Sequence, residues 1–390
     1  MGQKISLKEK KDIKLLVDGH VFDGFHQGSR TFLKGIYSNF DAEKYNIRIF
    51  FAANNLDNLK KEFKGKKGIE FVKLKFTNKY LRLAYEIPSL IQKLNIDFAH
   101  FNYFLPLVLN KHCKYIVTIH DVLFLDFPQF FPKTYYLKNK WLFGWAAKKA
   151  DLVNTVSEYS KSRIVENFKL EKKAVTVLPN AIEEDFFLNN DKGLDQKYIQ
   201  NKYGIPDFLL YVSRIEPRKN HIVLLKAFHQ LKLWEKGIEL VFLGKKAIDD
   251  KELDRYFELV QRESGNRIHH LEIVDWSDLK RFYNAALISC YPSLCEGFGI
   301  PPLESAALKT PTICSNQTAM NEFSFFGKNH IDPQDIKTMK DAILQTLENV
   351  GSPGLETHLE DLRSTIKRKY NWSISADILG KSIKMEALKK

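Results

Sequence analysis

The stretch Ser293–Ser305, SLCEGFGIPPLES, packs two carboxylates, two glycines and two prolines into one short segment. Gly297 and Gly299 let backbone N–H groups approach a ligand closely, because no Cβ stands in the way. Pro301 and Pro302 suit the first turn of a helix, where a missing N–H costs little. A helix N-terminus offers unpaired donors and a partial positive charge, which together make a phosphate site. Glu296 and Glu304 flank that site. A carboxylate turned on a diphosphate would repel it, so both are expected to face uncharged groups. The hydroxyls of a hexose and of a ribose meet that need.

Three shorter segments add to this chemistry. Val212–Asn220, VSRIEPRKN, places Arg214 and Lys219 where they could neutralise a leaving diphosphate, Arg as a fork and Lys as a point charge. Stabilising charge that develops on a leaving group lowers the barrier. Thr118–Val122, TIHDV, offers His120 as a hydrogen-bond partner for a sugar hydroxyl. Gly28, Ser29 and Arg30 form a loop with one glycine, a sparse version of a phosphate loop.

Such segments need strands that end where they begin. Buried strands are predicted at Ile13–Asp18, Ile47–Ala52, Asp97–Phe101, Tyr115–Ile119, Leu152–Thr155 and Val175–Val177, with helices over Gly28–Phe40 and Leu81–Leu94. Strands separated by helices pair in parallel. Residues 183–204 are polar and read as an irregular stretch, with a linker at 186–204. A second series follows: strands Phe208–Val212, Leu240–Leu243, Ile268–Leu271, Leu287–Tyr291 and Thr312–Cys314, with helices at Ile222–Leu233, Leu253–Arg262 and Ser277–Asn284. The expected architecture is α/β: two doubly wound domains, residues 1–185 and 205–371, and a terminal helix at 372–390. Open parallel sheets bind ligands at the carboxyl ends of their strands, so two of them face to face enclose one cleft.

Composition narrows the class. A chain of 390 residues is long enough for two cores. Four cysteines without a C-x-x-C pair read as reduced thiols in a cytoplasmic protein, and zinc ligation is not expected. No apolar run reaches the length of a membrane span. Met1, Gly2 and Ser6 fit a myristoylation pattern that is short and often met by chance. Net charge is +13, and residues 1–190 hold 31 Lys and Arg against 20 Asp and Glu. The basic first half is expected to meet an anionic surface. Lys60, Lys61, Lys64, Lys66 and Lys67 lead into Lys73, Lys75, Lys79 and Arg82, interleaved with Phe71, Leu74, Phe76 and Tyr80. That pattern fits peripheral contact with an anionic membrane, at the inner face.

The motifs resemble glycosyltransferase family 4, retaining enzymes of the GT-B fold. The resemblance rests on TIHDV at 118–122, VSEYSK at 156–161, LPNAI at 178–182, SRIEPRKN at 213–220 and the Glu-x7-Glu element from Glu296 to Glu304. It implies that Glu296 holds donor hexose hydroxyls, helped by the amides of Gly297, Phe298 and Gly299. It implies that Glu304 binds the ribose, with Leu303 beside it, and that Arg214 and Lys219 clamp the diphosphate. It places His120 on the sugar, the Gly28 amide near the phosphates, and the backbone of Ile273 and Val274 on the base. A nucleotide-sugar is then a substrate; no cofactor or metal is implied. The acceptor would be a glycan or a lipid-linked one, with GDP-mannose as the donor and a surface polysaccharide as the product. The last helix would cross back to the first domain. Two departures stand out: Ser213 where the family often has Gly, and one glycine near Gly28 where it often has two.

Other classes fit less well. A sugar-nucleotide epimerase would lack the Glu-x7-Glu context, and a phosphorylase would need a pyridoxal lysine. A nucleic-acid-binding role lacks an RNP-like or zinc signature, and base readout favours Arg over the Lys that dominates here.

Overall fold

A computed structural model describes residues 12–24, 28–188 and 191–389. Gly2 and Ser6 lie outside the described residues. Apolar runs become strands wherever the sequence places them between turn residues. The first sheet contains β1 (Ile13–Asp18), β2 (Ile47–Ala53), β3 (Ile69–Lys73), β4 (Phe98–Asn102), β5 (Lys114–Thr118), β6 (Leu152–Thr155) and β7 (Val175–Val177). Its order is β3-β2-β1-β4-β5-β6-β7, and every pairing is parallel. The second sheet contains β8 (Asp207–Val212), β9 (Ile238–Leu243), β10 (Ile268–Leu271), β11 (Ile288–Tyr291), β12 (Thr312–Ser315) and β13 (His330–Ile331). Its order is β10-β9-β8-β11-β12-β13, again parallel. Each sheet reverses its direction of growth beside its first strand, at β1/β4 and at β8/β11. Ligands of open α/β sheets bind at such switch points.

Both faces of the first sheet are covered, which is why its strands are apolar at nearly every position. Leu16, Phe50, Ala52 and Val117 pack one face. Leu15, Val17, Ile49 and Phe51 pack the other, in a cluster continuous with Trp372, Leu379 and the core around the second sheet.

That continuity is made by helix Trp372–Ala387, which crosses back onto the first domain as the family resemblance implied. Trp372 is buried against Gly35, where an added Cβ would stand 2.2 Å from the indole. Ser375 Oγ donates to the Pro179 carbonyl at 2.7 Å, and Lys114 Nζ donates to the Glu386 carbonyl at 2.6 Å.

The irregular stretch expected at 183–204 needs correction. Lys192–Tyr203 is an α-helix, opened by Asp191, which accepts from the Leu194 amide, and closed by Gly204 in the left-handed conformation. Its only buried residue is Ile199, so no apolar stripe announced it. Polar bonds dock it instead: Lys202 and Tyr203 both reach Asp278 at 2.6 Å, and the Arg281 guanidinium lies 3.7 Å from the Tyr198 ring centre.

The basic string also needs correction. Arg82 and Leu74 are buried, and Arg82 stands 3.7 Å from Asp18 within the first domain. The exposed large side chains near this edge include Phe76, Tyr80, Leu81, Tyr85, Leu137 and Trp141, beside Lys79 and Lys138. Lys138 Nζ donates to the Tyr80 hydroxyl at 2.9 Å.

Candidate functional site

β8 and β11 are neighbours, so the loops that follow them meet. The Leu294 amide donates to the Arg218 carbonyl at 2.8 Å, and the Ser293 and Tyr211 hydroxyls lie 3.0 Å apart. After β8 a short 3-10 turn, Pro217–Lys219, points two cations inward. After β11 the chain runs through Glu296 and Gly297 to Gly299, whose φ is +103°. A side chain at Gly299 would be strained, and its Cβ would meet Met320 at 2.8 Å. Helix Ile300–Ala307 starts there, with prolines in its first turn as expected.

Glu296 does not face uncharged surroundings, contrary to expectation. Oε1 accepts from Lys219 Nζ and Oε2 accepts from Arg218 Nη1 at 3.1 Å. Burial alone would raise this carboxyl, but the Lys219 ammonium and the Arg218 guanidinium outweigh it and hold Glu296 at about 2. Arg218 also bonds the Cys295 carbonyl at 3.0 Å and pairs with Glu216 at 2.6 Å. Two cations on the carboxylate offset the repulsion it would exert on a phosphate. Arg214, expected in the clamp, is 64% exposed and stands 3.7 Å from Glu216. The second cation at Glu296 is therefore Arg218.

Glu304 lies on the helix that Gly299 opens. It accepts from the Tyr283 hydroxyl at 2.8 Å. Burial pushes its carboxyl up to about 7 despite that bond, and the charges of Glu183 and Asp185 add to the rise. Leu303, beside it, is fully buried and anchors the helix.

The first domain supplies the opposite wall. His120 is buried, with Nε2 donating to Asn102 Oδ1 at 3.2 Å and Phe32 and Tyr103 against its ring. Burial lowers it to about 4, so it is neutral near pH 7. Asp121 approaches Gly297 so closely that an added Cβ would lie 2.7 Å from its carboxylate. Ser157 and Ser160 donate from their hydroxyls to the Gly297 carbonyl at 2.8 and 3.1 Å. These three residues of the first domain seat the Glu296 loop, and the Glu296 amide itself donates to Thr318 Oγ1 at 2.8 Å.

Three expected contacts are peripheral to this cluster. Gly28 is the first residue of helix Gly28–Asn39, with open space around its Cβ position. Its neighbour Arg30 is committed to Glu62 at 2.7 Å. Ile273 is 70% exposed and Val274 packs against the core, in the loop between β10 and helix Trp276–Ala285, which carries Tyr283.

Family models match both halves. Residues 27–186 match "Glycosyltransferase Family 4" and residues 195–368 match "Glycosyl transferases group 1". The chain belongs to glycosyltransferase family 4. It is 29% identical over 252 residues to an O-antigen chain mannosyltransferase B from Escherichia coli, covering 64% of each chain. It is 27% identical over 239 residues to the O-antigen chain mannosyltransferase RfbU from Salmonella typhimurium, covering 61% of each. The matched stretches thus span less than two thirds of these relatives. Among solved structures, HepE from Anabaena in complex with UDP-glucose superposes with a TM-score of 0.71 at 15% identity, covering 96% of this chain and 100% of that one. A glycosyltransferase from Rickettsia africae superposes at 0.69 and 17% identity, covering 98% and 100%. These likenesses establish the GT-B fold of this family member.

Proposed function

We propose that this family 4 glycosyltransferase moves a mannosyl group, with retention and without a divalent metal, from a nucleoside-diphosphate sugar to a hydroxyl of a glycan or lipid-linked acceptor. The observation that carries the reading is the Glu296 carboxylate held ionised between Lys219 and Arg218, just before the helix that carries Glu304. Glu304 takes the ribose hydroxyls. Lys219 and Arg218 turn to the diphosphate as it leaves, supported by the start of helix Ile300–Ala307. Glu296, relieved of part of that pairing, accepts from hexose hydroxyls. The acceptor hydroxyl attacks the anomeric carbon on the face the diphosphate leaves. As the new C–O bond forms, the bond to the phosphate oxygen breaks and that oxygen takes the hydroxyl proton. His120, neutral, hydrogen-bonds the sugar from the first domain. No cofactor is needed in this reading, because the bond from the anomeric carbon to the donor's phosphate is itself activated and the nucleoside diphosphate leaves intact.

Mannose and a polysaccharide product are favoured by the O-antigen mannosyltransferases among the relatives. Work at the inner membrane face is favoured by the aromatic and basic edge around Tyr80, Lys138 and Trp141. Among the described residues no helix is long and apolar enough to cross a membrane. Nucleic acid is not a partner in this reading.

The test is a thermal-shift screen with UDP, GDP, ADP and their sugars, followed by transfer assays in EDTA. GDP and GDP-mannose should raise the melting temperature, and EDTA should leave transfer intact. A shift with no nucleotide would overturn the reading. Transfer abolished by EDTA and restored by Mg2+ would overturn its metal-free clamp.

A further inference from the structure

Two serines of the first domain spend their hydroxyl protons on one carbonyl of the second. Helix Glu158–Phe168 begins with Ser157 as its N-cap, whose oxygen accepts from the Ser160 amide at 3.0 Å. The Ser157 proton is left to point out of the helix, and it goes to the Gly297 carbonyl. Ser160 sends its own proton to the same oxygen. A serine inside a helix commonly bonds back to a carbonyl one turn earlier. Ser162 does so, donating to the Tyr159 carbonyl at 2.7 Å, and Ser160 does not. A carbonyl has two lone pairs, and here buried side chains fill both.

The tether falls where the loop lacks one of its own. Thr318 holds the Glu296 amide, and the Ala319 amide donates to the Glu296 carbonyl at 3.4 Å. Phe298 is anchored by its ring, against Phe323 and Tyr370. Between these anchors lies one peptide unit, Gly297–Phe298, and the glycine leaves that unit free to turn over. The unit is planar and trans, so its N–H points opposite to its carbonyl. Hydroxyls that draw the oxygen toward the first domain therefore fix the Phe298 N–H in the other direction. Among the described residues nothing accepts from that N–H. Turned over, the unit would offer a ligand an oxygen in place of a donor.

The tether also spans the two domains. Domains of one chain commonly move relative to one another. When these two part, both hydroxyls leave the carbonyl together.

Resting on the transferase reading above, we infer that Ser157 and Ser160 are positioning residues for the donor sugar: from the first domain they set the Gly297–Phe298 peptide so that its N–H is presented to the hexose beside Glu296, and they do so only while the domains are together.

Calorimetry on the full chain tests this, with GDP-mannose, UDP-glucose and ADP-glucose each compared with its own nucleoside diphosphate. The pair that binds wild type is carried through the variants. Ser157→Ala with Ser160→Ala should weaken the sugar nucleotide about tenfold and leave the nucleoside diphosphate within about twofold. Ser160→Ala alone puts a better helix former in the helix and keeps the Ser157 cap, so it decides the matter if the double variant does not fold. It should weaken the sugar nucleotide about threefold. Glu322→Ala is the control. It removes another bond between the domains, from the Tyr159 amide at 3.0 Å, without touching the Gly297 carbonyl, and should leave both affinities within about twofold. Equal losses of sugar nucleotide and nucleoside diphosphate, a loss in Glu322→Ala matching that of the serine variants, or unchanged affinities in the serine variants would overturn the inference. A wild type that binds none of the three sugar nucleotides would overturn the transferase reading itself, a different failure.

Discussion

Nucleotide affinity should rise with pH through Glu304. Its carboxyl titrates at about 7 because burial disfavours the charge. Ribose hydroxyls donate best to the ionised form. With that pKa, roughly a tenth of the sites are ionised at pH 6 and roughly nine tenths at pH 8, so affinity should climb about tenfold across the interval. At pH 8, Glu304→Ala removes hydrogen bonds to a charged acceptor, worth about 1.5–3 kcal/mol, or a ten- to hundredfold weakening. The sign for stability is opposite. The folded carboxyl binds its proton more tightly than the unfolded one, whose ordinary value is 4.5. The stability this group contributes is complete below that value and is lost as pH rises to about 7. Calorimetry with the nucleoside diphosphate from pH 6 to pH 8 measures the binding part. The ligand's terminal phosphate titrates nearby, and the Glu304→Ala profile isolates that contribution. Parallel profiles for wild type and Glu304→Ala would refute the assignment of Glu304 to the ribose.

Glu296→Ala should keep or gain affinity for the free nucleoside diphosphate, since Lys219 and Arg218 are released toward it, while turnover falls roughly a hundredfold; calorimetry and initial rates decide, and a loss of nucleotide affinity matching that of Glu304→Ala would sink the idea. Gly35→Ala forces a methyl group into the Trp372 ring and should cost about 1–3 kcal/mol, read as a lowered melting temperature. Deleting residues 372–390 should lower it further and abolish transfer; an unchanged melting temperature would contradict the packing role of this helix. The protein should sediment with anionic but not neutral vesicles, each Lys near the surface contributing about 1 kcal/mol. Lys138→Glu with Trp141→Asp should weaken that binding; wild type left in the supernatant at low salt would end the membrane proposal.

Much of this was legible in the sequence. The strands of both sheets declared themselves as short apolar runs except β3, half-exposed at the edge of its sheet, and the two-residue β13, and the Glu296–Glu304 spacing located the loop and helix after β11. What escaped shares a cause: contact between distant segments. Arg214 was favoured because it follows β8 directly, yet the Pro217–Lys219 turn aims Arg218 inward and leaves Arg214 in solvent. Asp121, Ser157 and Ser160 gain their roles only when the two domains meet at Gly297. VSEYSK carried the signal, since Ser157 and Ser160 lie three apart at a helix start. Arg82 looked like one more surface cation until the π-helical turn carried it to the carboxyl end of β1, beside Asp18. The helix at 192–203 is held by ion pairs that no apolar periodicity reveals.

The return of the final helix has a consequence for biosynthesis. Translation completes the first sheet early, but the hollow at Gly35 stays open until Trp372 emerges, after the whole second sheet. The amino-terminal half therefore waits, with apolar surface uncovered, while the entire second half is made. Domains usually fold in order as they leave the ribosome. Here the earlier domain is sealed last, so a stop before Trp372 leaves it uncovered even when the second sheet is complete. A chain cut short would expose that surface to chaperones and proteases, and only finished molecules would escape them.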